Sequence, residues 1–148
     1  MLGSLSDGQL KISNSLLSED CMRTLEAFRE LGINIQIDND IVTILGKGLN
    51  GLSETKSQID AGNSGTLARL ILGLLVHSKK KIKIKGDQSL SKRDFLRITN
   101  PLKSFGAKFD TRNGKLPINV SGTNHPRPIK YYEKRGSAQC KSSVMLAA

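Results

Sequence analysis

The chain has 148 residues, 37% of them hydrophobic, with 14 glycines besides, enough to bury one average domain core, and a disordered chain is thereby excluded. Its 23 Lys/Arg against 13 Asp/Glu leave a net charge of +10, which favours nucleic acid, an acidic membrane surface or phosphorylated and carboxylated metabolites, and which a lysine-rich solvated surface also produces. Aromatic residues make up 4%, Trp is absent, and Tyr131 and Tyr132 are the only tyrosines, so the stacking platforms of single-strand nucleic-acid binders are missing.

The opening residues MLGSLSDGQL (1–10) have no basic n-region and no signal-peptide shape. A short strand KIS (11–13) precedes Leu17-Ser18, where Ser18 is suited to cap a helix. The helical period runs to Gly32, a residue suited to the left-handed position after a helix. NIQID (34–38) and IVTIL (41–45) then flank the turn DND, which reads as a hairpin. Cys21 here and Cys140 later lie in apparent helices without metal-ligand spacing, which fits a reduced, cytoplasmic setting.

Next come a strand SQIDAG (57–62) and a helix SGTLARLILGLLVHS (64–78). Its longest apolar run, LILGLLV (70–76), is too short to span a bilayer, and no membrane partner is expected. GNSGTLARL (62–70) places two glycines and a Thr where a helix N-terminus directs N–H groups and positive dipole outward, which suits phosphate or carboxylate. There Gly65 permits close approach to the backbone and Thr66 offers a hydroxyl. An ordinary capped helix packed on a sheet has the same pattern.

After the strand KIKIK (81–85), GDQSLSKRDF (86–95) carries Lys92 and Arg93 at a second helix start. An arginine so placed grips an anion with two donors, and it equally pairs with Asp94 or Asp87 on a surface. Leu90-Ser91 repeats the Leu-Ser start, the helix ends at Gly106, and AKFDT (107–111) and LPINV (116–120) flank the turn RNGK. PIKYYEKRG (128–136) reads as a further strand before a third helix start, SAQCKSS, with Ser137 as cap and Gln139 offering an amide. That helix reaches residues 145–148, MLAA, with an apolar face that nothing is expected to bury. His77, at a helix end, and His125, in a loop, form no catalytic constellation. There is no metal-ligand spacing and no nucleophile elbow, so no metal is expected.

The chain resembles itself: residues 17–48 lie over 90–122 at an offset of about 73. The second copy has an upstream half, so its order is β-α-β-α-β-β, a whole α/β unit repeated. The fold class is accordingly α/β (α+β), divided as 1–57, an incomplete first unit, 58–123, a second, and 124–148, the start of a third. The first unit lacks its opening strand and most of a helix, as a segment of a larger protein does. Three small-polar helix starts on strand ends are expected to converge on one anionic site.

GNSGTLAR (62–69), GDQSLSKR (86–93), LPINVSG (116–122) and SAQCKS (137–142), in this order, resemble the N-terminal domain of the 5-enolpyruvylshikimate-3-phosphate synthase family, and LSEDCMRTLEAFRELG does so similarly. The resemblance covers essentially all of 1–148. It implies an inside-out enolpyruvyl transferase fold of two domains built from repeated β-α-β-α-β-β units, with this chain as part of the N-terminal one. It implies transfer of the enolpyruvyl group of phosphoenolpyruvate to the 5-hydroxyl of shikimate 3-phosphate, with release of phosphate, on the route to chorismate and aromatic amino acids. It implies no metal or organic cofactor, two small anions as partners, no nucleic acid, and a monomer when full length.

By position, the resemblance implies that Asn63, Gly65, Thr66, Arg93 and Gln139 bind phosphoenolpyruvate, in the pocket that also takes glyphosate, and that Ser137, Ala138 and Gln139 bind shikimate 3-phosphate. The family's K-S-x-S-x-R motif and its acid/base groups have no counterpart in these residues, so the chain by itself is expected to show no transferase activity. Arg93 is followed by Asp94 where the family has Pro, an acid that suits a first helical turn and is also placed to pair with Arg93, and Cys140 stands for a common Val. The sister UDP-N-acetylglucosamine enolpyruvyl transferases are disfavoured by GDQSLSKR. An RNA 3′-phosphate cyclase or basic RNA-binding remnant is disfavoured by the missing catalytic histidine and aromatics.

Overall fold

The computed structural model describes residues 1–48, 51–52, 58–78, 80–133 and 136–148, in two compact units, Met1–Lys56 and Ser57–Ala148. The first holds α1 (Leu2–Leu5), β1 (Asp7–Ile12), α2 (Glu19–Glu30), β2 (Asn34–Asp38) and β3 (Ile41–Lys47). Its antiparallel sheet has the order β1-β3-β2. Period-two alternation makes it one-sided: Val42 and Ile44 are buried, and in register they stand between Ile12 and Leu10 on one side and Ile37 and Ile35 on the other.

Helix α2 buries Ala27 and Phe28 and ends where expected: Gly32 takes φ 82°, and the Ile33 N–H reaches back to the Phe28 carbonyl. Arg29 then donates from Nε and Nη2 to the Ile35 carbonyl at 3.0 and 2.8 Å, tying the helix to β2. Asn39, at φ 52°, turns the hairpin. Two expectations shift. β1 begins at Asp7, ahead of KIS, because the whole of 7–12 finds partners on β3. Ser18 is the N-cap of α2 by position, but its side chain accepts no cap hydrogen bond.

The second unit holds β4 (Gln58–Asp60), α3 (Gly65–Leu74) running into a 3-10 turn (Leu75–His77), β5 (Lys81–Lys85), α4 (Gln88–Ser91), α5 (Leu96–Ser104), β6 (Lys108–Arg112), β7 (Lys115–Ser121) and α6 (Ala138–Ala147). The sheet order is β4-β5-β7-β6, with β4 and β5 parallel across α3 and the remaining pairs antiparallel. Ile82, Ile84, Phe109, Ile118 and Val120 fill its buried face, while Lys81, Lys83, Lys108 and Lys115 are exposed. Asn113 and Gly114, at φ 55° and 70°, make the two-residue turn between β6 and β7, whose twist matches the strands.

Helix α3 is buried almost all round, because α5 and α6 both pack against it. The approach of α6 is close: a Cβ at Gly73 would stand 2.1 Å from the Ser143 carbonyl oxygen. One turn earlier, the Ser143 hydroxyl donates to the Arg69 carbonyl at 2.9 Å. Cys140, Ser143, Val144 and Ala147 are thereby buried, which corrects the expectation that this helix has an unburied apolar face; of its large hydrophobic side chains Met145 stays mostly exposed, at 77%.

Two further expectations are corrected. Residues 128–133 form no strand: Pro126 and Pro128 have no N–H to offer, and the Arg127 N–H is spent on the Phe105 carbonyl. Ser91 caps nothing and instead ends α4, because Asp87 starts that short helix and the next one begins only at Leu96. Among the described residues no helix is long and apolar enough to cross a membrane.

The Gly73–Ser143 approach sets a test. Alanine is the better helix former by about 1 kcal/mol, yet Gly73→Ala is expected to lower stability by about 1–3 kcal/mol through overpacking. Urea unfolding measures this, and a variant as stable as the parent would show that the two helices do not meet at Gly73.

Candidate functional site

Two loops that leave the parallel strands β4 and β5 are stitched edge to edge. The Ala61 N–H donates to the Lys85 carbonyl at 2.9 Å and the Asp87 N–H to the Gly62 carbonyl at 2.8 Å. Gly62 sits at φ 54°, and its N–H is held by the Asp60 carboxylate, which also pairs with Lys85 at 3.0 Å. A Cβ at Gly86 would stand 2.9 Å from the Gly62 carbonyl oxygen, so only glycine lets the loops run this close. Ser64 caps α3, its hydroxyl accepting the Leu67 N–H at 3.2 Å.

Asn63 bridges the loops through its side chain. Its Nδ2 donates to Asp87 Oδ2 at 2.6 Å, and its Oδ1 accepts from Arg93 Nη2 at 3.4 Å. Asp87 Oδ1 takes the Leu90 N–H at 2.7 Å, which starts α4. The Asn63 amide, then the Leu90 amide, hold the Asp87 carboxyl below its ordinary range, because both bonds favour the ionised form.

One turn into α3, Arg69 is only 7% exposed. Its Nη1 donates to Gln139 Oε1 at 2.8 Å, and Gln139 Nε2 donates onward to Thr66 Oγ1 at 3.1 Å. The guanidinium lies 5.3 Å from the centre of the Phe95 ring, and its Nε finds no partner among the described residues. Burial, then Arg97 and Arg93, lower its pKa, though a guanidinium stays protonated at any physiological pH. Gly65 lies where Arg69 and Arg93 converge: a Cβ there would meet Arg69 Nη1 at 2.9 Å and Arg93 Nη1 at 3.0 Å.

Among the described residues neither arginine forms an ion pair. In particular Asp94 does not pair with Arg93; it accepts the Leu96 N–H at 2.8 Å and starts α5. Of the two roles expected of Asp94, the structure thus shows the one at a helix start and not the pairing with Arg93. Two guanidiniums beside the first turn of α3, with an amide and a hydroxyl alongside, are a receptor for a carboxylate or phosphate. Among the described residues no group of three His, Cys, Asp or Glu is placed to hold a metal.

Asn63, Gly65, Thr66, Arg93 and Gln139 thus come together on one end of the second unit. Ser137 and Ala138 stand at the start of α6, where the Ser137 hydroxyl accepts the Cys140 N–H at 3.3 Å and makes no bond to that group. Lys134 and Arg135 of the third helix start lie outside the described residues. Sequence reasoning left out Arg69. Its signal was present: it is the one charge in an otherwise apolar helix, four residues after Gly65 and three after Thr66, so it shares their face. His77 is structural, its Nε2 lying 3.1 Å from the Ala147 carbonyl oxygen.

The model of one family, EPSP synthase (3-phosphoshikimate 1-carboxyvinyltransferase), matches residues 1–148. A 3-phosphoshikimate 1-carboxyvinyltransferase of Ruthia magnifica subsp. Calyptogena magnifica is 47% identical over 147 residues, 99% of this chain and 34% of the relative. One from Bacillus cytotoxicus is 44% identical over 149 residues, 99% of this chain and 35% of the relative. A solved EPSP synthase from Acinetobacter baumannii superposes with a TM-score of 0.94 at 38% identity, covering 98% of this chain and 33% of that one. The likeness shows the fold, and the expected α/β class holds. The chain spans about a third of the length of the curated relatives it matches.

Removing the amide at position 63 tests the loop bridge. In the parent chain Asp87 is expected to titrate below the ordinary carboxylate range, and Asn63→Ala to move it back upward, as followed by carboxyl ¹³C shifts. A depressed carboxyl contributes stability that is complete above its unfolded pKa and is lost as pH falls through the lowered value. The variant therefore loses its share of stability at neutral pH and unfolds less differently from the parent in acid. An unchanged Asp87 titration would sink the bridge.

Proposed function

The chain belongs to the EPSP synthase family, and on that premise we propose that it carries one wall of the site where a 3-phosphoshikimate 1-carboxyvinyltransferase moves the enolpyruvyl group of phosphoenolpyruvate to the 5-hydroxyl of shikimate 3-phosphate, releasing phosphate. Residues 1–148 are part of an N-terminal domain, with 1–57, 58–123 and 124–148 as successive portions of its repeated units. The protein acts in the cytoplasm, as a monomer, on two small anions rather than on nucleic acid.

One observation carries this reading: two guanidiniums without counterions among the described residues meet at Gly65, beside the start of α3. Arg93 is placed to take the carboxylate or phosphate of phosphoenolpyruvate by two parallel N–H donors, the geometry a guanidinium fork supplies. Gly65 leaves room for the anion against the backbone, Asn63 orients Arg93, and Thr66 offers its hydroxyl from the same turn. Gln139, already bonded to Arg69 and Thr66, stands between this anion and Ser137-Ala138, where shikimate 3-phosphate is held at the start of α6. The contribution of this wall is fixed positive charge and orientation. Such charge is set before the reaction and costs no rearrangement as charge shifts from the carboxyvinyl group to the departing phosphate.

Calorimetry on the chain with phosphoenolpyruvate tests the reading. Arg93→Ala is expected to weaken binding roughly 10- to 100-fold, the worth of a charge-assisted hydrogen bond or two. Gly65→Ala is expected to weaken it also, since the new methyl fills the space between the two guanidiniums and pushes them apart. Raising salt weakens the parent and has less to remove in Arg93→Ala. Phosphoenolpyruvate binding that is indifferent to both substitutions would overturn the assignment.

A further inference from the structure

Arg69 raises a problem that its hydrogen bonds do not solve. The guanidinium is nine-tenths buried, its Nε has no partner among the described residues, and after burial the charges that act on it most strongly are two more arginines, Arg97 and Arg93, with Asp94 opposing them more weakly. A buried cation ordinarily has a carboxylate against it. Here the nearby acids are occupied by N–H donors: Asp94 by the Leu96 amide and Asp87 by Asn63 and the Leu90 amide. Apart from one bond to Gln139, what lies against the guanidinium is the ring of Phe95, at 5.3 Å.

We propose that Phe95 is a positioning residue for the anion site, its ring face serving as the platform that holds the Arg69 guanidinium toward Gly65 in place of a carboxylate. The inference rests on the anion-site reading above. A carboxylate under Arg69 would cancel the charge and compete with the incoming anion. An aromatic face attracts a cation through its quadrupole and adds no net charge, so the full positive charge remains for the ligand. The ring is itself held from two sides. Phe95 is fully buried; its N–H donates to the Gly114 carbonyl in the β6–β7 turn at 2.8 Å, and its carbonyl accepts from Ile98 and Thr99 in the first turn of α5. The hairpin turn and α5 thus fix the platform, α3 brings the arginine over it, and α6 supplies Gln139 as the second point of support.

A buried Phe also fills a core, so the test must change the ring's charge distribution and keep its shape. Phenylalanines bearing one, two and three ring fluorines are placed at position 95 of the full chain, which weakens the quadrupole stepwise with little change in volume. The expected result is a stepwise loss of phosphoenolpyruvate affinity, reaching on the order of tenfold at three fluorines, with the thermal unfolding midpoint nearly constant. Phe95→Met, which keeps a flexible apolar side chain and drops the ring, is expected to weaken binding to a similar degree. It is also expected to move the Arg69 guanidinium proton signals downfield in the ligand-free chain as the ring-current shift is lost. Binding that stays flat along the fluorine series, or an Arg69 signal that ignores Phe95→Met, overturns the platform alone. A parent chain that binds no phosphoenolpyruvate overturns the anion-site reading and the platform with it.

Discussion

The geometry of the second unit depends on how closely α3 and α6 approach. At Gly73 there is no side chain, and the backbone of α6 occupies the place where one would be. The Ser143 hydroxyl then satisfies the Arg69 carbonyl, a buried backbone group of α3 that would otherwise compete for a partner elsewhere. With that spacing set, the first turn of α6 falls opposite the first turn of α3, and Gln139 reaches both Arg69 and Thr66. A wider spacing by the width of a methyl group would lengthen both bonds past the point where they hold. Packing in the body of the two helices thus sets the positions of polar groups at their ends.

The electrostatics of the site follow from how its acids are occupied. Each acid near the two loops is already held by structural partners. Asp60 is bound to Lys85 and the Gly62 amide, Asp87 to Asn63 and the Leu90 amide, and Asp94 to the Leu96 amide. Carboxylates at helix starts are stabilised there by the dipole and the free N–H groups, so they have reason to stay where they are. Among the described residues Arg69 and Arg93 are left without counterions, and their charge is available to a bound anion. The cost of holding a cation nearly dry is moderated by one amide oxygen and one aromatic face, both electrically neutral as wholes.

Much of this was legible in the chain itself. The glycines at 32 and 106 mark helix ends because both take positive φ, and Asn39 and Asn113 mark hairpin turns for the same reason; a residue that tolerates left-handed backbone announces it locally. KIKIK alternates because a strand with one wet face must. The second Leu-Ser was less informative, since Asp87 and Asp94 compete to start helices on either side of Ser91, and propensity alone does not rank three capping residues within eight positions. Residues 128–133 read as a strand by composition, yet a strand needs a neighbouring strand to pair with, and none pairs with them among the described residues.

By itself the sequence determined the order of most strands and helices, the starts of α3 and α6 and the small and polar residues that line them, because those are matters of period, capping and backbone freedom acting over a few residues. Only the tertiary structure decided that no acid among the described residues pairs with Arg69 or Arg93, that α6 is buried along α3, and that Arg69 lies on Phe95 and belongs with Gly65. Those facts depend on the distance between elements far apart in the chain. That distance is set by the volumes packed between them, and no local pattern encodes it.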